Sequence, residues 1–262
     1  MSQAIAWAAV LEVAKEAAYE TGEYLRDKQK HVQALGKKAM RDTLLDADLE
    51  AERRIIHKLR SAYPAAGFLS EEAGELSTGA AYQWVIDPLD GSANFEHGSP
   101  TFGIAISLAV QSETTLGVIY LPRQDEMFTV VRGHGARLNG QPIHVASTQA
   151  LNDAVIHLAD FAKDGNVEEN ERRLGYIRQI AQQVRCVRMI GTAATDLAFV
   201  ACGRADALVM YSRKSWDVEV GTLLVSEAGG RVFLSQDEKG RAVSLYSNEQ
   251  LCDPLMTLLH MR

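Results

Sequence analysis

The stretch that decides the fold and the chemistry of this chain is Trp84–Phe95, with the sequence WVIDPLDGSANF. Its apolar start predicts a buried strand, and this strand runs into two carboxylates, Asp87 and Asp90. Pro88 fixes its own φ and favours extended backbone at Asp87. Asp-Pro and Asp-Gly pairs are also frequent in turns. Two interpretations therefore stay open: the acids cap a turn, or they hold a cation at the end of a sheet.

The composition excludes several classes of protein. Of the 262 residues, 47% are hydrophobic and 23% are charged, which is typical of a globular protein. The net charge is −7 and no basic block carries interleaved aromatics, so we expect no nucleic-acid partner. No apolar run reaches the roughly 18 residues of a membrane span, and the N-terminus reads as an amphipathic helix, so we expect a cytoplasmic protein without membrane contact. The three scattered cysteines, Cys186, Cys202 and Cys252, are interpreted as buried free thiols.

Hydrophobic periodicity predicts mixed helices and strands along the whole chain. Helices are predicted at about 3–27, 46–61, 167–184, 191–201, 216–228 and 248–260. Strands are predicted at about 67–70, 82–86, 102–110, 116–121, 127–131, 154–158, 205–210, 231–234 and 243–246. Several strand-to-strand steps look antiparallel. The pattern predicts a layered α/β protein, a single catalytic domain over 1–262 with an N-terminal α+β half to about 148 and a C-terminal α/β half from about 149.

Acidic residues follow several of the predicted strands, where sheet proteins bind ligands. They are Glu71, Glu72, Asp87, Asp90 and Asp217, and Asp48 lies at the start of the second helix. Acids gathered at one place repel one another unless a cation lies between them. Together with the Leu89 carbonyl they form the hard oxygen donor set that suits Mg²⁺ or Mn²⁺. By contrast, Asp46 and Glu52 are interpreted as helix-start and helix-surface charges.

Gly91 and Ser92 follow the two acids directly and suggest where a phosphate would bind. Gly91 has no side chain, so an anion can approach its backbone. If a short helix begins here, the amides of Gly91 and Ser92 point outward as an anion site. The Ser92 hydroxyl can both donate and accept, so it can orient a water molecule.

These motifs resemble the inositol monophosphatase family. Trp84–Phe95 is similar to the family's first signature, W-x-I/V-D-P-x-D-G-T-x-N-F, and residues 215–230, SWDVEVGTLLVSEAGG, are similar to its second. Three further segments match in the same order: 42–48 (DTLLDAD), 69–72 (LSEE) and 190–194 (IGTAA). The resemblance spans about residues 37–230. It implies a layered α-β-α-β-α sandwich, like that of inositol monophosphatase and fructose-1,6-bisphosphatase, with mixed, largely antiparallel sheets.

The resemblance also implies the metal ligands. Glu71, Asp87 and the Leu89 carbonyl would hold a first Mg²⁺, and Asp87, Asp90 and Asp217 a second. A third, weaker ion would lie near Glu71, which is also implied to be catalytic. Mn²⁺ is a possible substitute. Lithium inhibition and a homodimer are further family traits that the resemblance implies.

Other roles carry over at matching positions. Asp48, with Ser92 in place of the family threonine, would position and deprotonate the attacking water, and the Gly91 and Ser92 amides would hold the phosphate. Lys37 matches a family lysine near the phosphate. The remaining substrate contacts implied for this chain are Gly191, Thr192, Ala193, Met210 and Asp217.

Three departures from the family pattern affect the active-site machinery. Leu44 and Leu45 replace the usual Val-Thr pair before Asp48, so a hydrogen bond is lost there. Ser92 keeps a hydroxyl but lacks the methyl group that fixes a threonine rotamer. Glu219 replaces a small residue just past Asp217, and we interpret it as facing solvent or forming a salt bridge.

The departure at Met210 concerns the substrate. Family members specific for inositol phosphates carry a glutamate there, and a thioether cannot accept the same hydrogen bonds from sugar hydroxyls. Tyr211, Arg213 and Lys214 add a basic rim that would suit a second anionic group, or they form a solvated turn.

The resemblance implies a Mg²⁺-dependent phosphomonoesterase that hydrolyses a small phosphorylated polyol or sugar by in-line attack of a metal-activated water. Alternatives within the same chemistry are a sugar bisphosphatase, an adenosine 3′,5′-bisphosphate phosphatase and a histidinol-phosphate phosphatase. An alternative of another class is a non-catalytic regulatory or binding homologue.

Overall fold

In a computed structural model of the chain, residues 7–76, 79–211, 214–236 and 240–261 are described. The helices are α1 Trp7–Lys28, α2 Asp46–Ala62, α3 Ser92–Glu96, α4 Val167–Ala181, α5 Ala193–Ala201, α6 Ser215–Glu227 and α7 Glu249–Leu258. The first ten strands are β1 Ala34–Ala39, β2 Asp42–Leu45, β3 Gly67–Ser70, β4 Gly74–Leu76, β5 Tyr82–Asp90, β6 Gly103–Val110, β7 Glu113–Leu121, β8 Glu126–Val131, β9 Ala136–Leu138 and β10 Gln141–Pro142. The last five are β11 Val155–Leu158, β12 Cys186–Arg188, β13 Ala207–Met210, β14 Arg231–Gln236 and β15 Ala242–Ser247.

The strands form two large sheets and a small hairpin. An 8-stranded sheet has the order β10-β9-β8-β7-β6-β5-β3-β4, and a 5-stranded sheet has the order β12-β11-β13-β15-β14. Strands β1 and β2 pair only with each other. The parallel pairs are β3 with β5, β11 with β12 and β11 with β13, and the other pairs are antiparallel. The prediction of mixed, largely antiparallel sheets is therefore confirmed.

Strand alternation builds the layers. In β6, Ile104 and Ile106 face a core shared with α1 and α2, whereas Ala105 faces a second core shared with α5 and α6. In β13, Leu208 faces that second core, and Val209 faces a third core shared with α4 and α7. Because successive side chains of a strand point to opposite faces, each sheet serves two cores. The order is helices, sheet, helices, sheet, helices, which confirms the predicted α-β-α-β-α sandwich.

The decisive stretch differs from its prediction in one respect. Strand β5 does not end at Ile86 but continues through Pro88 to Asp90. Its register with β6 shifts between Asp87 and Asp90, and the Leu89 amide donates to Asp87 Oδ1 over 3.1 Å. An irregularity of this kind re-aims side chains without ending the strand. The two acids therefore lie on a bulged strand end and not in a separate turn.

Other differences are confined to short elements and surface residues. The strands that were not predicted are β1, β2, β4, β9, β10 and β12, which are short, exposed or edge strands whose pattern carries little apolar periodicity. The start of the predicted first helix, residues 3–6, lies outside the described residues. All three thiols are free, but only Cys252 is buried, so the burial predicted for the other two is wrong. None of the described helices has the length and apolar character needed to cross a membrane.

Helix α6, which carries Asp217, packs against α5 through Gly221. A Cβ at Gly221 would lie 2.7 Å from the Cβ of Leu197, closer than real side chains approach. We therefore expect Gly221→Ala to lower the free energy of unfolding by about 1–3 kcal/mol through overpacking. Gly175 in α4 is the matched control, because nothing lies within 4 Å of its Cβ position. Urea unfolding should show Gly175→Ala gaining about 0.5–1 kcal/mol, and equal effects at both sites would contradict this account of α5–α6 packing.

Candidate active site

Four carboxylates meet around the end of β5. Asp87 is 2% exposed, and burial raises its pKa well above the ordinary value. The charges of Glu71, Asp90 and Asp217 raise it further. These acids come from three places in the sequence, and β3 lies next to β5 in the parallel register that aligns Ser70 with Ile86. The acids that were predicted as metal ligands therefore lie close enough for their charges to act on Asp87, and their role as ligands stays a prediction.

Asp90 is held by the N-terminus of α5. Its Oδ2 accepts hydrogen bonds from the Thr192 hydroxyl and from the Ala194 amide, the latter over 2.6 Å. Amides at a helix start favour a negative charge, and these two bonds lower the pKa. Burial outweighs them and raises the pKa of Asp90 to about 7. Thr192 is the N-cap of α5, so one hydroxyl starts the helix and orients the carboxylate.

Asp48 lies in the first turn of α2 and is 2% exposed. Its Oδ2 accepts a hydrogen bond of 2.7 Å from the Leu45 amide. Burial raises its pKa to about 7, although that hydrogen bond and Lys38 act in the opposite direction. Leu45 is the N-cap residue and forms no side-chain cap hydrogen bond. The backbone half of the cap is therefore retained, while Leu45 cannot supply a hydroxyl.

Gly91 and Ser92 form the start of the short helix α3. Gly91 adopts the left-handed conformation, with φ at +88°, and a Cβ there would lie 3.1 Å from Thr192 Cβ. Both facts require glycine. The position predicted for the phosphate therefore lies beside the helix start that holds Asp90. Leu89, whose carbonyl the resemblance assigns to the first metal, is 2% exposed between the two acids.

The lysines differ from the prediction. Lys37 is exposed, and its Nζ donates to Thr43 Oγ1 over 2.7 Å. The neighbouring Lys38 instead reaches Glu71 at 3.2 Å and Glu72 at 2.6 Å. Strand alternation separates the two side chains, and the hairpin register that decides which one faces inward was not readable from the sequence.

Lys163 is a second cation that the sequence analysis missed. It lies in the loop between β11 and α4, and its Nζ pairs with Asp42 over 3.1 Å. Desolvation opposes its charge, but Asp42, Glu71 and Asp217 outweigh this effect and raise its pKa. Its charge also acts to lower the pKa of Asp87. The loop is fixed to the hairpin because the Arg41 amide donates to the Lys163 carbonyl over 2.8 Å.

Three residues at or near positions that differ from the family pattern, Met210, Tyr211 and Glu219, are buried or half-buried. Met210 is 2% exposed and packs in the core beside α5 and α6. Tyr211 is 8% exposed, and Arg213, part of the predicted basic rim, lies outside the described residues. Glu219 is half-buried and accepts a hydrogen bond of 3.3 Å from Thr114 Oγ1.

Glu52 is not the helix-surface charge that the sequence suggested. It is 6% exposed, and its Oε1 accepts hydrogen bonds from the Ser70 hydroxyl and, over 3.1 Å each, from the Glu72 and Ala73 amides. These donors surround Glu71. One buried carboxylate on α2 therefore shapes the turn that presents Glu71 to Asp87. The helical spacing of Glu52 from Asp48 on one face was the available signal.

We expect Glu52→Gln to loosen this turn. A neutral amide loses the charge-assisted character of three hydrogen bonds, so the free energy of unfolding should fall by about 1–3 kcal/mol. Mg²⁺ titrations should show a half-saturating concentration raised by about tenfold, because Glu71 loses its fixed position. Glu50→Gln is the matched control on the same helix, since Glu50 pairs with Arg53 and Arg54 at the surface. It should change stability by no more than about 0.5 kcal/mol, and a similar loss in both variants would refute the positioning role.

The residues fit a divalent cation in chemistry and charge. Glu71, Asp87, Asp90 and Asp217 are oxygen donors whose mutual repulsion a cation relieves. Across the described ranges, however, no three His, Cys, Asp or Glu side chains already form a finished ion-binding group. The four carboxylates would hold the metal, with no ligand geometry fixed by the structure.

The layered fold and the acids at the end of β5 define a phosphatase-type protein, and the comparisons with known proteins identify the family. The sequence profile of the inositol monophosphatase family matches residues 6–254. The chain therefore belongs to the inositol monophosphatase family, and its fold is of the inositol monophosphatase and fructose-1,6-bisphosphatase type.

Its relatives carry two kinds of name. The chain is 37% identical to the inositol-1-monophosphatase of Rhizobium meliloti over 256 residues, covering 95% of this chain and 92% of the relative. It is 36% identical to Nus factor SuhB of Pseudomonas aeruginosa over 228 residues, covering 85% and 84%. Among solved structures, the extragenic suppressor protein suhB of Bartonella henselae superimposes with a TM-score of 0.89 at 35% identity, covering 96% of this chain and 98% of that one.

Proposed function

We propose that this protein is a Mg²⁺-dependent phosphomonoesterase that hydrolyses a small phosphorylated polyol or sugar. The observation that carries the proposal is that Asp87 is buried within electrostatic reach of Glu71, Asp90 and Asp217. Beside them, Gly91 and Ser92 offer backbone amides at a helix start. Carboxylates this close to one another repel, and a bound cation relieves that repulsion. A metal-dependent phosphatase needs such a cation next to its phosphate-binding site.

We propose a role for each group of the site. When bound, Mg²⁺ would neutralise phosphate charge and make the attacking water more acidic. Asp48 is buried with a pKa of about 7, close to the value at which a general base is effective, so it accepts the proton of the water. The Ser92 hydroxyl orients that water for in-line attack on phosphorus, and the Gly91 and Ser92 amides hold the phosphate oxygens. Glu71 is a further carboxylate whose charge acts on Asp87.

The alcohol leaves on the opposite side of the phosphorus. Gly191, Thr192 and Ala193 line that side in the proposal, because the Gly191 carbonyl lies 3.5 Å from the Cβ position of Gly91. Asp217 lies in the first turn of α6, and its charge acts on Asp87. Met210 lies in the core, and the Lys37 Nζ donates to Thr43, so the substrate roles of these two residues stay predictions.

The finer family properties are part of the same proposal. We propose two or three Mg²⁺ ions, with Mn²⁺ as a substitute, sensitivity to lithium, a homodimer and a cytoplasmic location. We also propose that residues 1–262 form a single catalytic domain with two halves. The strands of the 8-stranded sheet lie within residues 67–142 and those of the 5-stranded sheet within 155–247, which supports the two-half description.

A panel of phosphomonoesters tests the function. We expect phosphate release from polyol and sugar monophosphates that requires Mg²⁺ and stops in a chelator, because the carboxylates alone repel the substrate. Release should be measured as kcat/KM with Mg²⁺, with Mn²⁺ and with neither. Release that persists unchanged without a divalent ion would exclude the metal mechanism.

A binding role is the second candidate, favoured by relatives that are named Nus factor SuhB, such as that of Pseudomonas aeruginosa. Leu45 at the start of α2 supports it, since this N-cap residue has no hydroxyl to offer beside Asp48. Absence of turnover across the whole panel, with an intact fold and measurable binding of a phosphate compound, would favour that role over the phosphatase.

A further inference from the structure

Asp160 lies at the edge of the 5-stranded sheet where ligands of α/β proteins bind. It follows β11, whose Leu158 aligns with Val209 of the parallel strand β13, and the Ala159 amide donates to the Val209 carbonyl over 3.0 Å. Continuing this register aligns Ala159 with Met210, the last residue of β13, and places Asp160 one residue further, just past the end of that strand. The carboxyl ends of parallel strands form the common ligand edge of such sheets.

The Asp160 carboxylate lies beside Gly191, one of the residues proposed to contact the alcohol group of the substrate. A Cβ at Gly191 would lie 3.1 Å from Asp160 Oδ2 and 3.4 Å from Asn94 Nδ2. Asn94 Nδ2 itself donates to the Ile190 carbonyl over 2.7 Å, which fixes the loop that carries Gly191. Gly191 also lies next to Gly91, so the Asp160 carboxylate and the proposed phosphate-binding residues are on either side of the same loop.

The carboxylate is available to a ligand. Asp160 is exposed, and within the described part of the chain no side chain or amide donates a hydrogen bond to its carboxylate oxygens. The two nearby cations are engaged elsewhere: Arg173 pairs with Glu169 and donates to the backbone carbonyl of Asp160, and Lys163 pairs with Asp42. A carboxylate has about four lone-pair sites, so it can accept several hydroxyl donors at once.

We propose that Asp160 is a specificity-determining residue that accepts hydrogen bonds from hydroxyl groups of the substrate's alcohol. It makes polyol monophosphates the preferred class over phosphomonoesters without neighbouring hydroxyls. A second phosphate at this position would meet a negative charge, so a bisphosphate is disfavoured. Met210, which ends β13 one residue before that level, is buried, and its thioether is a much weaker acceptor for hydroxyl groups. The inference rests on the proposed function for the phosphate half of the site.

Calorimetric binding in Mg²⁺ tests the inference with myo-inositol 1-phosphate and ethyl phosphate as probes, and every protein compared carries Asp48→Asn so that the probes are not hydrolysed during the measurement. We expect Asp160→Ala to weaken binding of the polyol phosphate by about 10- to 100-fold, while ethyl phosphate changes by less than about threefold. Asp160→Asn keeps the shape and one acceptor oxygen and should give an intermediate loss. Asp153→Ala, which removes an exposed acid of the same half, is the charge control and should leave both affinities unchanged.

Hydrolysis of the two probes separates this inference from the proposed function. If the parent protein hydrolyses neither probe, the phosphatase proposal fails, and the ratio of binding constants still decides the role of Asp160. Equal loss of affinity for both probes in Asp160→Ala, or no loss for either, overturns the inference. So does a parent protein that binds the polyol phosphate no more tightly than ethyl phosphate.

Discussion

Asp90→Asn is expected to lower kcat/KM by about 10³-fold while leaving the metal-free protein at least as stable as the parent. The activity falls because the neutral amide is a poor cation ligand beside Asp87. Stability is kept because an asparagine oxygen still accepts hydrogen bonds from Thr192 and from the Ala194 amide. Removing the charge also relieves the repulsion that raises the pKa of Asp87. A loss of function without a loss of stability marks a residue kept for chemistry and not for folding.

The measurements are steady-state phosphate release and urea unfolding in a chelator. Asp206→Asn is the matched control, because Asp206 is 7% exposed and accepts a hydrogen bond of 2.7 Å from the Val155 amide, on the far side of the C-terminal half from the acids. This control should keep kcat/KM within a few-fold of the parent. Comparable activity in Asp90→Asn and the parent would contradict the proposed site.

The stability of the metal-free protein is expected to fall as pH rises from about 4 to 7. Burial raises the pKa of Asp48 and of Asp90 to about 7 each, from an ordinary value of 3.8. Burial also raises the pKa of Asp196, to about 6, so this residue too lowers the stability as the pH rises. The folded state therefore holds protons that the unfolded chain has already lost in this window. By linkage, deprotonation then costs on the order of several kcal/mol in total.

Urea unfolding at pH 5, 6, 7 and 8 in a chelator measures this dependence. Excess Mg²⁺ should flatten or reverse the decline, because a cation that binds only the folded state stabilises the ionised acids. Asp90→Asn should show a shallower decline than the parent, since one of the groups that titrate is gone. Stability that rises between pH 5 and 8 without metal would contradict the arrangement of buried acids.

Much of the fold was predictable because helices and strands leave a periodic pattern in the chain. Helix α2 and strand β3 were predicted within one residue of their bounds. The β1–β2 hairpin was missed because its strands are short and lie outside both large sheets, so no alternating core pattern marks them. For the same reason the sequence could not show that Lys38, and not Lys37, faces Glu71.

The sequence by itself determined the acids, their glycine neighbours and the family, because these features are carried by residue types at fixed local spacing. Only the tertiary structure decided which distant groups act on them. It placed Glu52 where the Glu72 amide donates to its carboxylate, and it placed Asp160 beside Gly191. It also desolvated Asp48 and Asp90 enough to raise the pKa of each to about 7. Burial and through-space charge depend on packing between elements far apart in the chain, and no local pattern encodes them.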